Sequence, residues 1–558
     1  MPGSRTDTAF LVAVTAAADE RARDVLAGVD GLLAGAPHHR QVMSAAKTLV
    51  ACAVHPASAL FASAEAAGAA VRLVGFLAGM QGANGLFDGE NLASPPDTAF
   101  TINDLCDTYA LLQGDAVPEA LRPLAGALAD IAAAAAGPLR LGGVHTPNHR
   151  WELSAALARL HAHWPDERLV ARVDEWLAEG IDIAPDGMYS ERSPNYSLYV
   201  SNPSLTAIGT LLDRPALLDA VCRNLEAVAA TALPDRTVET VHSRRQDQRG
   251  AIPLAPFLMQ FRRYAIVRGR GDFAAVVARL RKEPIAAPAD ALAEILLEPA
   301  LAGSLPEGAA PQAVSTVFPS AGLAVVRDGG FAVTVFGGTD YAEHGWIRSG
   351  LSSNPTFLRV YAGDAVLDSV RLSRDFFGMG PFRGGFAQED GEYVLRERVA
   401  AAYYQPLPAE FRRADGDYAL MDDGRFSASM DFAHRPNDAF ALATEARVRV
   451  GEGEVRLGIE VSPGGVRHVL ELAFRDGGEL EGVRPLAGGG FAPVDGAFTY
   501  RRGGDAIAVR VDECGPAGLG YHPGEDYTHL SGTDAAQGLR VYVPIPASGR
   551  STVVLRSH

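Results

Sequence analysis

Four stretches of this chain gather residue types able to bind anions or move protons. In "GGVHTPNHRWELSAALARLHAHW", Gly142 to Trp164, an Asn-His pair, Asn148 and His149, follows Thr146 and Pro147. Thr146 is a good N-cap and Pro147 suits the first helical position, so the spacing predicts a helix that opens here, with Trp151, Leu153, Leu157, Leu160 and Trp164 available for burial. Asn148 and His149 then lie in its first turn, where backbone N–H groups and the positive end of the helix dipole favour a bound anion. A second stretch, "QGANGLFDGENLASPPDTAFTINDL", offers Asp88, Asn91, Asp97 and Thr98. A third, "IAPDGMYSERSPNYSLYVSNPS", offers Asp186, Glu191, Arg192, Asn195, Tyr196 and Tyr199. The fourth, "DRTVETVHSRRQDQRG", adds His242, Arg244, Arg245 and Arg249, a concentrated positive run. Each has an ordinary structural use as an Asx turn, a tyrosine corner or a solvated face. Their gathering in long polar loops of one half of the chain is what points to a site.

The elements that must position these residues change character along the chain. From residue 7 to about 300 the sequence is Ala- and Leu-rich with helical spacing, as in "HHRQVMSAAKTLVACAV" and "ERLVARVDEWLAEG". From about 312 onward, short alternating Val-, Phe- and Tyr-rich runs such as "ALATEARVRVGEGEVRLGIEV", broken by Gly, Asp and Pro turns, predict antiparallel β structure in a large sandwich. The linker is read at "LEPALAGSLPEGAAPQ", residues 297 to 312. The fold class expected is α+β and multidomain: an N-terminal α/α toroid, an incomplete barrel, over residues 1–300, then an antiparallel β-sandwich over 301–558. No strict short repeat is evident, but successive helix pairs suit a toroid.

Composition narrows the partners. The chain has 558 residues, more than one hydrophobic core usually supports, with 47% apolar and 21% charged residues, the balance of a soluble globular protein. A formal net charge of −17 argues against nucleic acid or an anionic membrane as the main partner. The cations are nearly all arginine, Lys47 and Lys282 being the only lysines. Cys52, Cys106, Cys222 and Cys514 form no C-x-x-C pair, and the scattered histidines give no ligand spacing. No cofactor is required, and a structural metal in the β domain stays open. With no basic run ahead of its first apolar stretch, the sequence reads as cytoplasmic, or as periplasmic or secreted if a leader has been removed.

A helical toroid followed by a sandwich, with "TPNHRW" opening a helix and "DGMYSERSPNYS" some forty residues later, resembles the heparinase II/III-like polysaccharide lyases and their alginate- and oligoalginate-lyase relatives. The resemblance covers nearly the whole chain in architecture. It implies that Asn148 and His149 match the family's carboxylate-neutralising pair and Tyr196 its catalytic tyrosine. Many members carry a His-x-His-x-Asp group just before the strand reading "TFLRVYAGDAVLD" here; this chain has "EHGWIRSGLSSNP" with the single His344 further upstream. The implied chemistry is β-elimination at a uronate: the C5 proton is removed beside the carboxylate, the oxygen on C4 is expelled, and a C4–C5 double bond remains. Asn148 with a histidine, His149 or His242, would stabilise the aci-carboxylate. A Tyr196 phenolate, its pKa lowered by Arg244 or Arg245, would take the proton. Asp88, Asn91, Asp97 and Arg192 complete the expected substrate contacts, on an acidic oligosaccharide or polysaccharide.

Two rival readings stay open: a toroid glycoside hydrolase using paired carboxylates such as Asp88 and Asp186, and a glycan-binding protein without catalysis. The run "TDYAEHGWIRSG", Thr339 to Gly350, adds a last expectation, a site between the domains. Trp346 would stack on a sugar face, Arg348 would meet a second carboxylate, and Tyr341 or His344 would assist proton transfer.

Overall fold

The computed structural model describes residues 6–88, 92–114, 117–309, 313–340, 350–377, 381–418, 420, 428–515, 537–547 and 549–558. The chain forms two compact units that do not follow chain order. The first comprises Met1–Ser190, Asn195–Ala229 and Pro253–Pro311; the second comprises Glu191–Pro194, Ala230–Ile252 and Gln312–His558. The last crossing lies at Pro311/Gln312, and two pieces of the helical half belong with the strands. Their side chains explain it: Glu239 pairs with Arg359, and Arg244 with Asp340.

The first unit is helical, with α1 (Thr8–Ala34), α2 (His39–Val54), α3 (Ala64–Met80), α4 (Pro95–Leu111), α5 (Arg122–Leu141), α6 (Pro147–His163), α7 (Glu167–Leu177), the single turn α8 (Pro194–Tyr196), α9 (Asn202–Leu211), α10 (Pro215–Ala230), α11 (Leu258–Val267), α12 (Gly271–Leu280) and α13 (Pro288–Leu297). Starts are set by local chemistry. The side chains of Asp7, Ser63, Ser94 and Asp166 accept backbone N–H groups at the starts of α1, α3, α4 and α7, and His38 with Gln41 forms a reciprocal box at α2. Helices α13, α2, α4, α6 and α9 pack side by side in that order as an inner layer, with α1, α3, α5 and α7 against them, an incomplete α/α toroid. With the short 3₁₀ turn before it, α5 forms a run, Glu119–Leu141, long and apolar enough by length and composition to cross a membrane; here it packs on α3, α4 and α6.

The inner layer is buried nearly all round, so its polar residues must satisfy one another. Lys47 on α2 meets Asp104 on α4 at 2.7 Å and Asp290 on α13 at 2.8 Å, and Arg159 on α6 meets Asp107 on α4 at 2.9 Å. Burial alone would lower the Lys47 pKa; the surrounding carboxylates outweigh it and hold the ammonium well above its usual range.

The second unit holds β1 (Thr237–Val238), β2 (Ile252–Pro253), β3 (Val314–Phe318), β4 (Leu323–Asp328), β5 (Phe331–Phe336), β6 (Leu358–Ala362), β7 (Ala365–Arg374), β8 (Gly385–Glu389), β9 (Glu392–Tyr404), β10 (Asn437–Gly451), β11 (Glu454–Ser462), β12 (His468–Phe474), β13 (Glu479–Glu481), β14 (Val483–Pro485), β15 (Phe491–Pro493), β16 (Ala497–Arg502), β17 (Asp505–Val511), β18 (Leu539–Ile545) and β19 (Gly549–Ser557). One sheet runs β13-β16-β17-β19-β11-β10-β9-β8 and the other β14-β15-β18-β12-β7-β6-β5-β4-β3. Strand alternation builds the core between them. Val455, Leu457, Ile459 and Val461 of β11 face Leu367, Val370 and Leu372 of β7 and their neighbours, while Arg456 and Glu460 point out. The other face of the nine-stranded sheet is buried too. Tyr361, Ala332 and Val366 pack there with Leu233 from the Ala230–Ile252 segment, and Arg371 is ion-paired with Glu471.

One turn recurs three times. Gln81–Phe87, Ile183–Tyr189 and Ala232–Val238 each close with a bridge between first and last residue, and in each the fourth residue (Asn84, Asp186, Asp235) accepts an N–H from two residues on. The fifth residue is left-handed each time: Gly85 (φ 80°), Gly187 (φ 88°) and Arg236 (φ 63°). This repeat escapes a search for strict sequence identity because only the Asx residue and the sign of one dihedral are kept.

Candidate functional site

Pro147 opens α6 as predicted, but Thr146 does not cap it. Its residue is extended as a cap should be, yet its hydroxyl lies 2.6 Å from Asn148 Oδ1, so the threonine orients the asparagine instead of a backbone N–H. Asn148 is 2% exposed, and its Nδ2 has no protein partner among the described residues. A buried amide donor is costly unless an acceptor meets it. His149 is half-buried beside it, its ring edge-on to His145 at 4.7 Å. Trp151, Leu153, Leu157 and Leu160 are buried as predicted, whereas Trp164 lies past the helix end, half-buried against Tyr109.

Tyr196 is half-buried at the end of α8 and leads into a π-helical turn, Ser197–Ser201, in which the Asn202 N–H reaches back to the Ser197 carbonyl. Pro203 explains the widened turn, because it has no N–H to continue the ordinary ladder. Helix α6 packs against this π turn. Tyr189, seven residues before Tyr196, is a scaffold residue. Its phenol is buried and donates to Asn202 Oδ1 at 2.9 Å, and burial first, then the Asp182 charge, holds it well above the usual tyrosine range. Asn202 passes its own amide to Asn224 and Gln260, both at 3.0 Å, and Gln260 returns to the Leu198 carbonyl of the π turn at 2.7 Å. Tyr199 is 58% exposed.

The "ERSP" half of the third loop belongs to the second unit and is fastened to the fourth stretch. Arg245 meets Glu191 at 3.0 Å, Ser193 donates to Asp247 at 2.7 Å, and the Arg244 N–H donates to the Glu191 carbonyl at 3.0 Å. The Arg244 guanidinium grips both oxygens of Asp340 at 2.7 and 2.9 Å and holds that carboxyl below its usual range against the opposing effect of burial. Arg192, in a left-handed conformation (φ 52°), gives its guanidinium to the Gly338 and Ser320 carbonyls at 3.0 and 2.7 Å. In the positive run Arg244 and Arg245 thus share their charge with carboxylates instead of presenting it undivided. His242 is 1% exposed, with neither ring nitrogen partnered among the described residues. Burial, with the Arg192 and Arg359 charges behind it, lowers its pKa to about 3, so the imidazole is neutral.

The first loop is structural wherever it is described. Asp88 is exposed and accepts the Ala93 N–H at 2.6 Å, Thr98 accepts the Phe87 N–H at 2.9 Å, and Asp97 pairs with Arg40. Asp186 likewise accepts a turn N–H, so the carboxylates of the hydrolase reading are both turn formers. Asn91, Tyr341, Glu343, His344, Trp346 and Arg348 lie outside the described residues. Among the described residues no three His, Cys, Asp or Glu side chains gather as metal ligands would.

One residue escaped the sequence reading. Glu152, one helical turn beyond Asn148 and 5% exposed, accepts from Asn103 Nδ2 at 2.6 Å and from Ser204 Oγ at 2.9 Å. Burial pushes its carboxyl up to about 7 despite those donors and Arg159. The only sequence signal is a charged residue set inside the apolar core spacing of α6.

No protein-family model matches the sequence, and no curated protein matches it. Solved structures do. Chondroitin AC lyase of Streptomyces coelicolor A3, in complex with chondroitin sulphate, aligns over 98% of this chain and 79% of its own at 13% identity and a TM-score of 0.57. A Paenibacillus xanthan lyase aligns over 97% of this chain and 57% of its own at 11% identity and a TM-score of 0.56. Heparan sulfate lyase HepC of Pedobacter heparinus aligns over 93% and 76% at 11% identity, with a TM-score of 0.48. Helical toroid, antiparallel sandwich and near-complete overlap agree: the chain has the fold that the chondroitin AC and xanthan polysaccharide lyases share.

Proposed function

We propose that this protein is a carbon–oxygen lyase that cleaves a uronic-acid-containing glycan by β-elimination. The observation that carries the reading is Asn148, a buried amide oriented by Thr146, with its Nδ2 uncommitted at the opening of α6. An ionised carboxylate opposes removal of the neighbouring C5 proton, because a second negative charge develops beside it. Donors from Asn148 and His149, with the helix dipole behind them, stabilise that developing charge more than the resting carboxylate. The Tyr196 phenolate takes the C5 proton, the C–H electron pair forms the C4–C5 double bond, and the C4–O bond breaks. The protonated phenol then returns its proton to the leaving oxygen, so no water is consumed. The reaction as written needs no cofactor, and the acidic glycan is the partner, with the neighbouring lyases of this fold as support.

The test is a panel of uronate glycans with ultraviolet absorbance and product mass spectrometry. Unsaturated products without uptake of water are expected. Saturated products gaining one water would replace the reading with a hydrolase, and binding without turnover across the panel would replace it with a glycan-binding protein.

A further inference from the structure

The side chains with chemical roles in the first unit sit on different elements, Asn148 and His149 on α6 and Tyr196 just before the π turn that runs into α9. A reaction that needs both at one sugar requires these helices to hold a fixed register, since displacement by about 1 Å can cost about 100-fold in rate. Glu152 is placed to impose it. It stands four residues after Asn148, on the same helical face. One carboxylate oxygen takes the Ser204 hydroxyl of α9 at 2.9 Å and the other takes the Asn103 amide of α4 at 2.6 Å. The orientation of Asn103 is itself fixed, because its Oδ1 accepts from Arg159 at 3.1 Å, and Arg159 is anchored by Asp107 at 2.9 Å. Asn103 also donates to the Glu152 backbone carbonyl at 3.2 Å, so α6 is held there at main chain and side chain alike. Among the described contacts, Glu152 is bonded to both neighbours of α6 in the inner layer.

We propose that Glu152 is a positioning residue for the site: it locks the helix presenting Asn148 to the helix that continues from Tyr196. This rests on the lyase reading for its kinetic consequence, but not for its structural one. A carboxylate buried only as part of a stable bundle would change global stability when removed. A positioning carboxylate changes the order of two particular segments and the chemical step.

The experiment compares wild type with Glu152→Ala, Glu152→Gln and Ser204→Ala, by kcat and KM on whichever uronate glycan the wild type cleaves and by amide hydrogen exchange at residues 147–153 and 197–206. In Glu152→Ala, kcat falls about 100-fold with KM within about threefold, and exchange accelerates in both segments. Glu152→Gln restores kcat to within about fivefold, because its amide oxygen accepts from Asn103 while its amide nitrogen donates to Ser204 Oγ. Ser204→Ala, which keeps the test alive if Glu152→Ala does not fold, lowers kcat about tenfold and loosens 197–206. Folded Glu152→Ala with wild-type kcat, or unchanged exchange in both segments, overturns the proposal. A wild type that cleaves no uronate glycan removes the lyase reading alone, and exchange still decides whether Glu152 sets the register.

Discussion

The turns Gln81–Phe87 and Ile183–Tyr189 are built alike and used differently. Both close with the same pair of backbone bonds: Gly82 N to Leu86 O and Gly85 N to Gly82 O in one, Ala184 N to Met188 O and Gly187 N to Ala184 O in the other. Both press a left-handed glycine onto a helix carbonyl, of Ala134 and of Arg223 respectively, so closely that no Cβ fits. The difference lies in the last residue. Phe87 ends the first turn as an apolar ring stacked on His39 at 5.0 Å, whereas Tyr189 ends the second with a hydroxyl bonded into α9. A fastener that ends in a ring fixes a loop to a core. One that ends in a hydroxyl also orients the helix in front of it, and Tyr196 lies one π turn before that helix.

The comparison is broken most severely through the two tyrosines. Tyr196→Phe is expected to lower kcat by about 1000-fold or more with unchanged thermal unfolding, since it removes one ionisable oxygen. Tyr189→Phe is expected to cost about 1–3 kcal/mol of stability, because Asn202 loses a buried partner, and to leave most of the activity. If Tyr189→Phe abolishes turnover and Tyr196→Phe does not, the roles are exchanged. Gly85→Ala and Gly187→Ala should each destabilise by about 2–4 kcal/mol in denaturant titration, left-handed strain and a carbonyl clash acting together. Among the folded fraction only Gly187→Ala should lose kcat, and equal loss in both would erase the distinction.

The pH dependence separates the same two regions. His39, beneath the first turn, is lowered to about 3, chiefly by burial, so the unfolded chain binds a proton that the native one refuses. Its contribution to stability is present above pH about 6.5 and is lost as pH falls toward about 3. Glu152 is raised to about 7, so the native state keeps a proton that the unfolded chain has released, and stability is lost as pH rises from about 4.5 to about 7. Unfolding titrations of His39→Gln and Glu152→Gln against wild type should therefore diverge in opposite directions. Parallel curves would show that neither burial controls a proton. The smallest effect belongs to the third turn, where Arg236→Gly relieves a left-handed side chain and should gain about 0.5–1 kcal/mol. A loss would mean that the arginine's own contacts outweigh its strain.

What was legible in the sequence was whatever local spacing dictates. The change of period near residue 312, the opening of α6 at Pro147 and the burial of Trp151 follow from side chains a few positions apart. Thr146 was misread because a cap and an asparagine partner compete for one hydroxyl, and only the folded distance decides between them. Glu152, Asn103 and Ser204 were invisible for a related reason. Their meaning arises from contacts about fifty residues apart, and each alone is an ordinary polar residue in a helix. Arg244 and Arg245 were legible as a charge cluster but not as paired charges, since Asp340 and Glu191 lie outside that run.

The membership of Glu191–Pro194 and Ala230–Ile252 in the strand-rich unit carries a consequence for biosynthesis. A ribosome releases the helical half first, but Glu239 and the Arg244 guanidinium find their ion-pair partners, Arg359 and Asp340, in chain encoded later. Each partner is encoded about 100–120 residues later, so at about 5–20 residues per second roughly 5–25 s pass before Arg359 and Asp340 are made. A half-made chain in that interval exposes charged groups destined for burial, and a gene cut at residue 300 would leave the waiting state permanent.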